Sequence, residues 1–305
     1  MTGPAAAAGT WTLGDLVVNR MGFGSMRLTQ QGSAFGPSAL PSNRAQAIAV
    51  LRGALDLGVN HIDTAAFYFS RLRSANELIN SALAPYPDEL VIVTKVGPGR
   101  DPHGEWTDAA RPEQLRGQVE ENLRQLGRDY LDVVNYRRQA SVDAITEHVG
   151  ALADLRDAGL IRHIGISGIE PDHLAQALAV TPVVCVQNAY SLDDHRPESA
   201  AVLRLCGEHG IAFVPFFAIA GVGRHRGPGT PDDAAEPRAV TEVARAHGAT
   251  PAQIRLAWTL HQGPHVLAIP GTGNPDHLAE NVAAGAIKLT AEELTVLGQT
   301  AGSSS

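Results

Sequence analysis

The sequence has little cysteine, almost no lysine and no long apolar run. Its two cysteines, Cys185 and Cys206, lie far apart in apolar or helical patterns, which favours buried thiols over a disulfide or a metal pair. No stretch reaches the roughly 18 consecutive apolar residues of a membrane span, and the start lacks the basic and apolar regions of a signal peptide. The net charge of −8 provides no basic footprint for nucleic acid. We therefore expect a cytoplasmic protein that acts on a small molecule, not on nucleic acid or a membrane.

Lysine is the scarcest of the charged residue types. Only Lys95 and Lys288 occur among the 24 basic residues, and all the others are arginine. An ammonium is a compact point charge, whereas a guanidinium is planar and larger. A lysine kept in so arginine-rich a chain indicates a position that requires an ammonium.

Short apolar runs alternate along the chain with longer segments in which apolar residues recur at i, i+3 and i+4. Eight runs are typical of strands, and we predict them over 20–24, 59–63, 90–95, 131–135, 161–167, 183–187, 211–216 and 266–269. Helices are predicted over 44–57, 112–126, 142–157, 171–179, 198–209, 236–247, 251–262 and 276–284. A βα unit thus repeats about every 35 residues, and continuously apolar strands are typical of a parallel sheet buried on both faces.

Eight such units predict an α/β fold, a (β/α)8 TIM barrel formed by residues 1–305 as a single domain, with a β-hairpin at 11–18 before it. An open doubly wound sheet would need a glycine-rich turn after its first strand, but no third glycine follows Gly22 and Gly24. Residues 1–10 and 302–305 are expected to be frayed ends. Two long insertions, 97–108 and 221–236, follow the third and seventh strands. Each is either a functional loop or a surface loop without a role.

Polar side chains stand at the carboxyl ends of the predicted strands, where barrels place their active sites. Asp63 ends the second strand, Tyr68 follows it, Lys95 ends the third strand and Arg137 follows the fourth. A free phenol has a pKa of about 10, and a nearby ammonium lowers it. Tyr68 would then be the general acid of a carbonyl reduction, with Lys95 beside it and Asp63 fixing Lys95. Taken singly, these three residues can instead be a helix cap, a rim aromatic and a strand-end side chain.

This constellation resembles that of the aldo-keto reductases, over nearly the whole chain from about residue 14 to residue 297. The matching stretches are 21–24, 58–65 with Tyr68, 93–95, 164–167 and 269–272. The resemblance implies reduction of an aldehyde or ketone with NADPH and catalytic roles for Asp63, Tyr68 and Lys95. Residues 131–137, 185–188 and 214–217 look most like the bacterial pyridoxal reductase branch. A pyridoxal-like or other aromatic carbonyl is therefore the expected substrate.

The fourth catalytic position departs from the common family pattern. The family's histidine aligns here with Arg137, five residues after Asp132. Arginine keeps its charge and cannot transfer a proton near neutral pH, but it can polarise a carbonyl oxygen or hold an anionic group. The alternative is an ion pair with Asp132 or Asp129 and no contact with substrate. Residues 69–73 also replace a shorter glycine-containing turn, which leaves the identity of the substrate open.

The resemblance further implies a site for an extended NADPH molecule. Ser167, Gln187 and Asn188 match positions that hold the nicotinamide amide, and Phe216 matches the ring that stacks on the nicotinamide. A turn precedes the last predicted helix, and the amino end of that helix can take the 2′-phosphate. Glu280 and Asn281 match the pair that holds adenine. His277 stands where relatives often carry arginine, so NADH is also possible. The remaining cofactor positions are Gly24, Gly271, Thr272 and Asn274.

The other histidines are weaker indications of function. His61, His163 and His265 are expected to be structural, His103 and His225 are candidates for substrate contact, and no cluster has metal-ligand spacing. Two further functions stay open. One is a reductase tailored to a specialised metabolite, which the 69–73 and 221–236 segments favour. The other is a nicotinamide-binding redox sensor with little catalysis, which the missing histidine favours. We expect a monomer or small homo-oligomer.

Overall fold

The barrel is built from seven parallel strands that pair in chain order. The computed structural model describes residues 3–32, 35, 40–194, 196–219 and 236–300. The strands are β1 Phe23–Gly24, β2 His61–Asp63, β3 Val91–Val96, β4 Leu131–Arg137, β5 Ile161–Ser167, β6 Cys185–Gln187 and β7 Ala212–Phe213. An eighth segment closes the sheet, because Val266 bridges to Phe213 and Ala268 bridges to Met21. These pairings confirm the predicted (β/α)8 barrel.

Helices follow the strands as the periodicity predicts. They are α1 Arg44–Asp56, α2 Ala75–Leu83, α3 Leu115–Leu126, α4 Thr146–Asp157, α5 Pro171–Val180, α6 Pro197–His209, α7 Arg238–Ala246, α8 Pro251–Leu260, α9 Pro275–Ala283 and α10 Ala291–Thr300. All eight predicted helices are present, although Pro112–Gln114 forms a 3-10 turn before α3 and α4 begins four residues later than predicted. The short helices α2 and α10 were not predicted. None of the helices in the described ranges is both long and apolar enough to cross a membrane.

The predicted hairpin closes the amino-terminal end of the barrel. Thr10–Leu13 pairs with Leu16–Asn19, and Gly14 supplies the positive φ of 66° that the tight turn requires. Leu13 and Val18 pack against apolar side chains of the barrel interior, among them Val91, Val133 and Leu267. Both cysteines are buried and free, as predicted. The hairpin therefore fills the amino-terminal end of the barrel interior with apolar side chains.

The expectation of a frayed start is wrong for the residues that the structure describes. Pro4–Ala8 form a 3-10 helix, Ala5 and Ala8 are buried, and the amide of Ala5 donates to the carbonyl of Leu57 at 3.0 Å. Small side chains allow this segment to lie close against the barrel, which compensates for its lack of large apolar residues. Residues 302–305 and 221–235 lie outside the described residues.

Candidate active site

A buried ion pair stands at the carboxyl end of the barrel. Lys95 Nζ donates to Asp63 Oδ2 at 2.5 Å and to the carbonyl of Thr64 at 3.0 Å. Gln187 Nε2 donates to the other carboxylate oxygen of Asp63 at 2.6 Å. The strands β2 and β3 are neighbours in register, which brings these side chains together across the barrel interior. Asp63 therefore fixes the ammonium of Lys95 while it is itself held by a second donor.

Tyr68 lies next to this pair in the turn that follows β2. Lys95 Nζ is 4.9 Å from the centre of the Tyr68 ring, and the ring is almost fully buried. Burial raises the pKa of Tyr68, and the charges of Lys95 and Arg137 offset only part of that rise. The lowering of this pKa that was expected from the ammonium is therefore outweighed by burial. The phenol consequently keeps its proton at neutral pH.

Lys95 remains a cation in this setting. Burial alone would lower the pKa of Lys95, but the Asp63 carboxylate and the Tyr68 phenol together raise it. The ammonium thus stays charged beside the phenol. A permanent positive charge at this point favours any negative charge that develops on the Tyr68 oxygen.

Arg137 ends β4 and lies opposite Ser167 of β5. Its Nη1 donates to Ser167 Oγ at 3.1 Å, and its guanidinium carbon lies 4.6 Å from the centre of the Phe216 ring. Gly168, with a φ of 69°, allows this approach, because a Cβ there would lie 3.0 Å from Arg137 Nη1. Burial lowers the pKa of Arg137.

No carboxylate pairs with Arg137 among the described residues. Asp132 instead accepts from Arg128 at 3.2 Å and from the amide of Ile92 at 2.8 Å. The ion pair that the sequence left open as an alternative therefore goes to a different arginine. Arg137 is a charged side chain that faces the site without a counter-ion among the described residues.

These groups line a cavity of about 410 Å³. Six aromatic side chains line it, and its lining includes Asp63, Tyr68, Lys95, Arg137, Ser167, Phe35, Phe67, Trp106, Phe216 and Phe217. Trp106 comes from the insertion after β3, so that segment contributes to the cavity, whereas the side chain of His103 is exposed and does not line it. Sequence reasoning missed Phe35 and Phe67. The one available signal was that Phe67 directly precedes Tyr68.

Two further cavities continue from the first, and Gly271 lines all three. One of about 480 Å³ is lined by Thr272, His277, Glu280 and Asn281, and one of about 400 Å³ by Thr272, Asn274 and His277. Glycine is required where the first strand meets this turn, because a Cβ on Gly24 would lie 2.6 Å from the carbonyl oxygen of Ile269. Nine of the predicted cofactor positions line one or more of these three cavities, and the exceptions are Gln187 and Asn188.

Gln187 shows how the structure fits a nicotinamide cofactor. Its Oε1 is buried and has no hydrogen-bond partner among the described residues, so an amide N–H of a bound ligand would satisfy it. Asn188, in contrast, uses both ends of its amide on the backbone of Ile169, at 3.0 and 2.7 Å. Its expected contact with the nicotinamide stays a prediction. The other two residues expected at the nicotinamide, Ser167 and Phe216, are both in contact with Arg137.

The remaining histidines have local partners or none. His163 contacts Asp15 of the hairpin turn at 2.6 Å, and His265 contacts the carbonyl of Leu203 at 3.0 Å. His61 is buried without a partner within the described ranges, and burial lowers its pKa to about 4. His225 lies outside the described residues. His61, His163 and His265 line none of the cavities described above, and their structural role stays a prediction.

Comparisons with known proteins agree with this geometry. The model of the Aldo/keto reductase family matches residues 20–300. Pyridoxine 4-dehydrogenase of Escherichia coli (strain K12) is 42% identical over 95% of this chain and 98% of its own length. An aldo/keto reductase from Klebsiella pneumoniae, solved with NADP and acetate, has a TM-score of 0.75 with 29% identity, over 95% of this chain and 94% of that one. The thermostable aldo-keto reductase Tm1743, solved with the inhibitor epalrestat, gives 0.78 with 29% identity, over 95% and 98%.

Proposed function

This chain belongs to the aldo/keto reductase family, and from that premise we propose that it reduces an aromatic aldehyde or ketone with NADPH, using Tyr68 as the proton donor. The observation that carries the proposal is the ring of Tyr68 next to the buried Asp63–Lys95 pair. A general acid must hold its proton until the carbonyl oxygen becomes basic. Burial raises the pKa of Tyr68, so the phenol holds its proton. The ammonium of Lys95 then stabilises the phenolate that proton transfer leaves.

The residues divide the work as follows. Tyr68 gives its proton to the carbonyl oxygen, and Lys95 stabilises the phenolate that remains. Asp63 keeps Lys95 charged and fixed, and Gln187 holds the second oxygen of that carboxylate. Arg137, a cation without a counter-ion among the described residues, polarises the carbonyl oxygen or holds an anionic substituent. In the oxidation direction Tyr68 takes the proton back as a base.

NADPH supplies hydride when it is bound. We propose that it is held by Gly24, Ser167, Phe216, Gly271, Thr272, Asn274, His277, Glu280 and Asn281, which line these cavities, and by Gln187 beside Asp63. The buried, unpartnered Oε1 of Gln187 supports the nicotinamide end of this assignment. The related Klebsiella pneumoniae enzyme was solved with NADP.

An aromatic substrate is supported by the lining of the cavity. Phe35, Phe67, Trp106 and Phe216 offer ring faces and edges to a flat molecule. The Escherichia coli relative is named for pyridoxine, an aromatic alcohol whose oxidation is the reverse of an aldehyde reduction. We therefore propose pyridoxal-like aromatic aldehydes as the first substrate class.

The test is loss of NADPH absorbance with the purified protein and a panel of aromatic and aliphatic aldehydes. We expect turnover with pyridoxal and substituted benzaldehydes, and slower turnover with NADH in place of NADPH. Turnover confined to larger or non-aromatic carbonyls would favour a reductase for a specialised metabolite. Tight NADPH binding without turnover of any carbonyl would favour a redox-sensing module and contradict the proposal.

A further inference from the structure

Arg100 lies behind the aromatic side of the cavity, in the insertion that follows β3. Its guanidinium carbon is 4.5 Å from the centre of the Phe69 ring, 5.0 Å from that of Phe35 and 5.7 Å from that of Trp106. A guanidinium in contact with aromatic faces is attracted by their electron density. Three rings from three separate chain segments thus meet at one side chain.

The same side chain joins two of these segments through their backbones. Arg100 Nη1 donates to the carbonyl of Phe69 at 2.7 Å and to that of Phe67 at 3.3 Å, and Nε donates to the carbonyl of Gly104 at 2.8 Å. Gly104 has a φ of 91°, and a Cβ there would lie 2.7 Å from Arg100 Nη2. The planar fork of donors fixes the turn after Tyr68 against the insertion after β3.

Arg100 has no ion-pair partner within the described ranges. The carboxylate of Asp101 next to it is engaged instead by the amides of His103 and Glu105, each at 2.9 Å. Arg100 therefore interacts with aromatic rings and with carbonyl oxygens. A surface salt bridge would have explained why this position carries an arginine. Arg100 forms none within the described ranges, so that explanation does not apply.

Two of the rings that Arg100 contacts, those of Phe35 and Trp106, line the cavity of the site, as does Phe67, whose carbonyl it binds. We define the aromatic wall as Phe35, Phe67 and Trp106, all of which line the cavity. The Trp106 ring centre lies 5.3 Å from that of Phe35 and 5.7 Å from that of Phe67, and Phe67 is 5.1 Å from the ring of Tyr68. Movement of this wall would change the space above the proton donor without touching the Asp63–Lys95 pair.

We propose that Arg100 is a positioning residue that holds the aromatic wall in place and thereby sets the preference for flat aromatic carbonyls over aliphatic ones. This inference rests on the proposed function, and it concerns substrate selection by that same site. Arg100 acts through the rings and carbonyls that it contacts, so its effect falls on the binding of aromatic substrates rather than on proton transfer.

The experiment compares Arg100→Met with Arg116→Met. Arg116 lies on the exposed face of α3, where it faces Glu120 at 3.8 Å, so the control makes the same chemical change away from the site. Initial rates with benzaldehyde and butanal give kcat and KM for each class, and NADPH affinity is measured separately. The emission and acrylamide quenching of Trp106, isolated from those of Trp11 and Trp258 as the difference between each protein and its Trp106→Phe counterpart, report the wall without any turnover.

We expect Arg100→Met to raise KM for benzaldehyde about tenfold, because the cation contacts and carbonyl bonds are lost together. The values for butanal, kcat for both substrates and NADPH affinity should stay within about twofold of wild type. Arg100→Lys, which keeps the charge but not the fork, should restore only part of the loss. Arg116→Met should match wild type in every measurement.

Three outcomes would overturn the inference. They are an equal loss for benzaldehyde and butanal, a loss carried by kcat, and Trp106 emission and quenching identical to those of Arg116→Met. Absence of carbonyl turnover in the wild type would contradict the proposed function instead. In that case the Trp106 measurement still decides whether Arg100 holds the wall.

Discussion

Replacement of Arg137 tests the point at which this chain leaves the common family pattern. Arg137→Ala removes a charged hydrogen bond to Ser167 and a cation contact with Phe216. Those contacts are worth roughly 1.5–3 and 1–2 kcal/mol, and relief from burying a guanidinium offsets much of that sum. No carboxylate is left unpaired among the described residues. We therefore expect a melting temperature within about 3 °C of wild type.

The catalytic effect should be much larger. A preorganised cation at the carbonyl oxygen contributes about 10²–10³ in kcat, so kcat for an aromatic aldehyde should fall by that factor. A role in holding substrate equally in ground and transition states would raise KM instead. NADPH affinity, measured by fluorescence titration, should change little. Arg137→Lys should recover part of the activity because it keeps the charge.

Arg138 provides a matched control with the opposite expectation. It donates to the carbonyls of Gly168 and Val142 and pairs with Glu170 at 3.2 Å, so its contacts are with backbone and surface. Arg138→Ala should lower the melting temperature by several degrees and leave kcat/KM unchanged. A lower melting temperature for Arg137→Ala with unchanged kcat/KM for every accepted aldehyde would refute the reasoning and remove Arg137 from the site.

Two other predictions concern buried ionisable groups. Lys95→Met should raise the pKa of Tyr68 further, because the ammonium of Lys95 lowers it. The pH profile of alcohol oxidation should therefore shift to higher pH. An unchanged profile would contradict a role for the ammonium. Burial lowers the pKa of His61 to about 4, so the unfolded chain binds more protons than the folded one between pH 6.5 and 4. The free energy of unfolding should therefore fall by roughly 3 kcal/mol as the pH drops through that range. Urea denaturation should show this slope in the wild type and lose it in His61→Gln, and the same slope in both would refute the assignment to His61.

Much of the fold followed from periodicity. Buried parallel strands and amphipathic helices differ in their apolar spacing, and all eight strand regions and eight helices were found from it. The misses have local causes. Helix α2 begins directly after the irregular turn that carries Tyr68, which obscures where its periodic spacing starts. The segment Pro4–Ala8 carries only small side chains, whose close packing leaves no hydrophobic pattern to read.

The site residues that lie at strand ends could be predicted from the sequence. The contacts that depend on the direction of a side chain could not. Asp63 and Lys95 meet because neighbouring parallel strands end together. Gln187 donates to Asp63, and Asn188 turns to the backbone of Ile169, which no spacing reveals. Arg100 was also invisible, since its three rings come from segments far apart in the chain. The net rise in the pKa of Tyr68 depends on burial, which the sequence does not give.

Tyr68→Phe tests the central claim most directly. The change removes one oxygen from a buried ring and leaves the Asp63–Lys95 pair intact, so folding and NADPH affinity should stay near wild type. Carbonyl reduction should fall by about 10²–10⁴, the contribution of a positioned general acid. The measurement is single-turnover oxidation of NADPH with pyridoxal, in which the chemical step is observed alone. The account predicts at least a hundredfold loss, and retention of more than a tenth of the wild-type rate would contradict it.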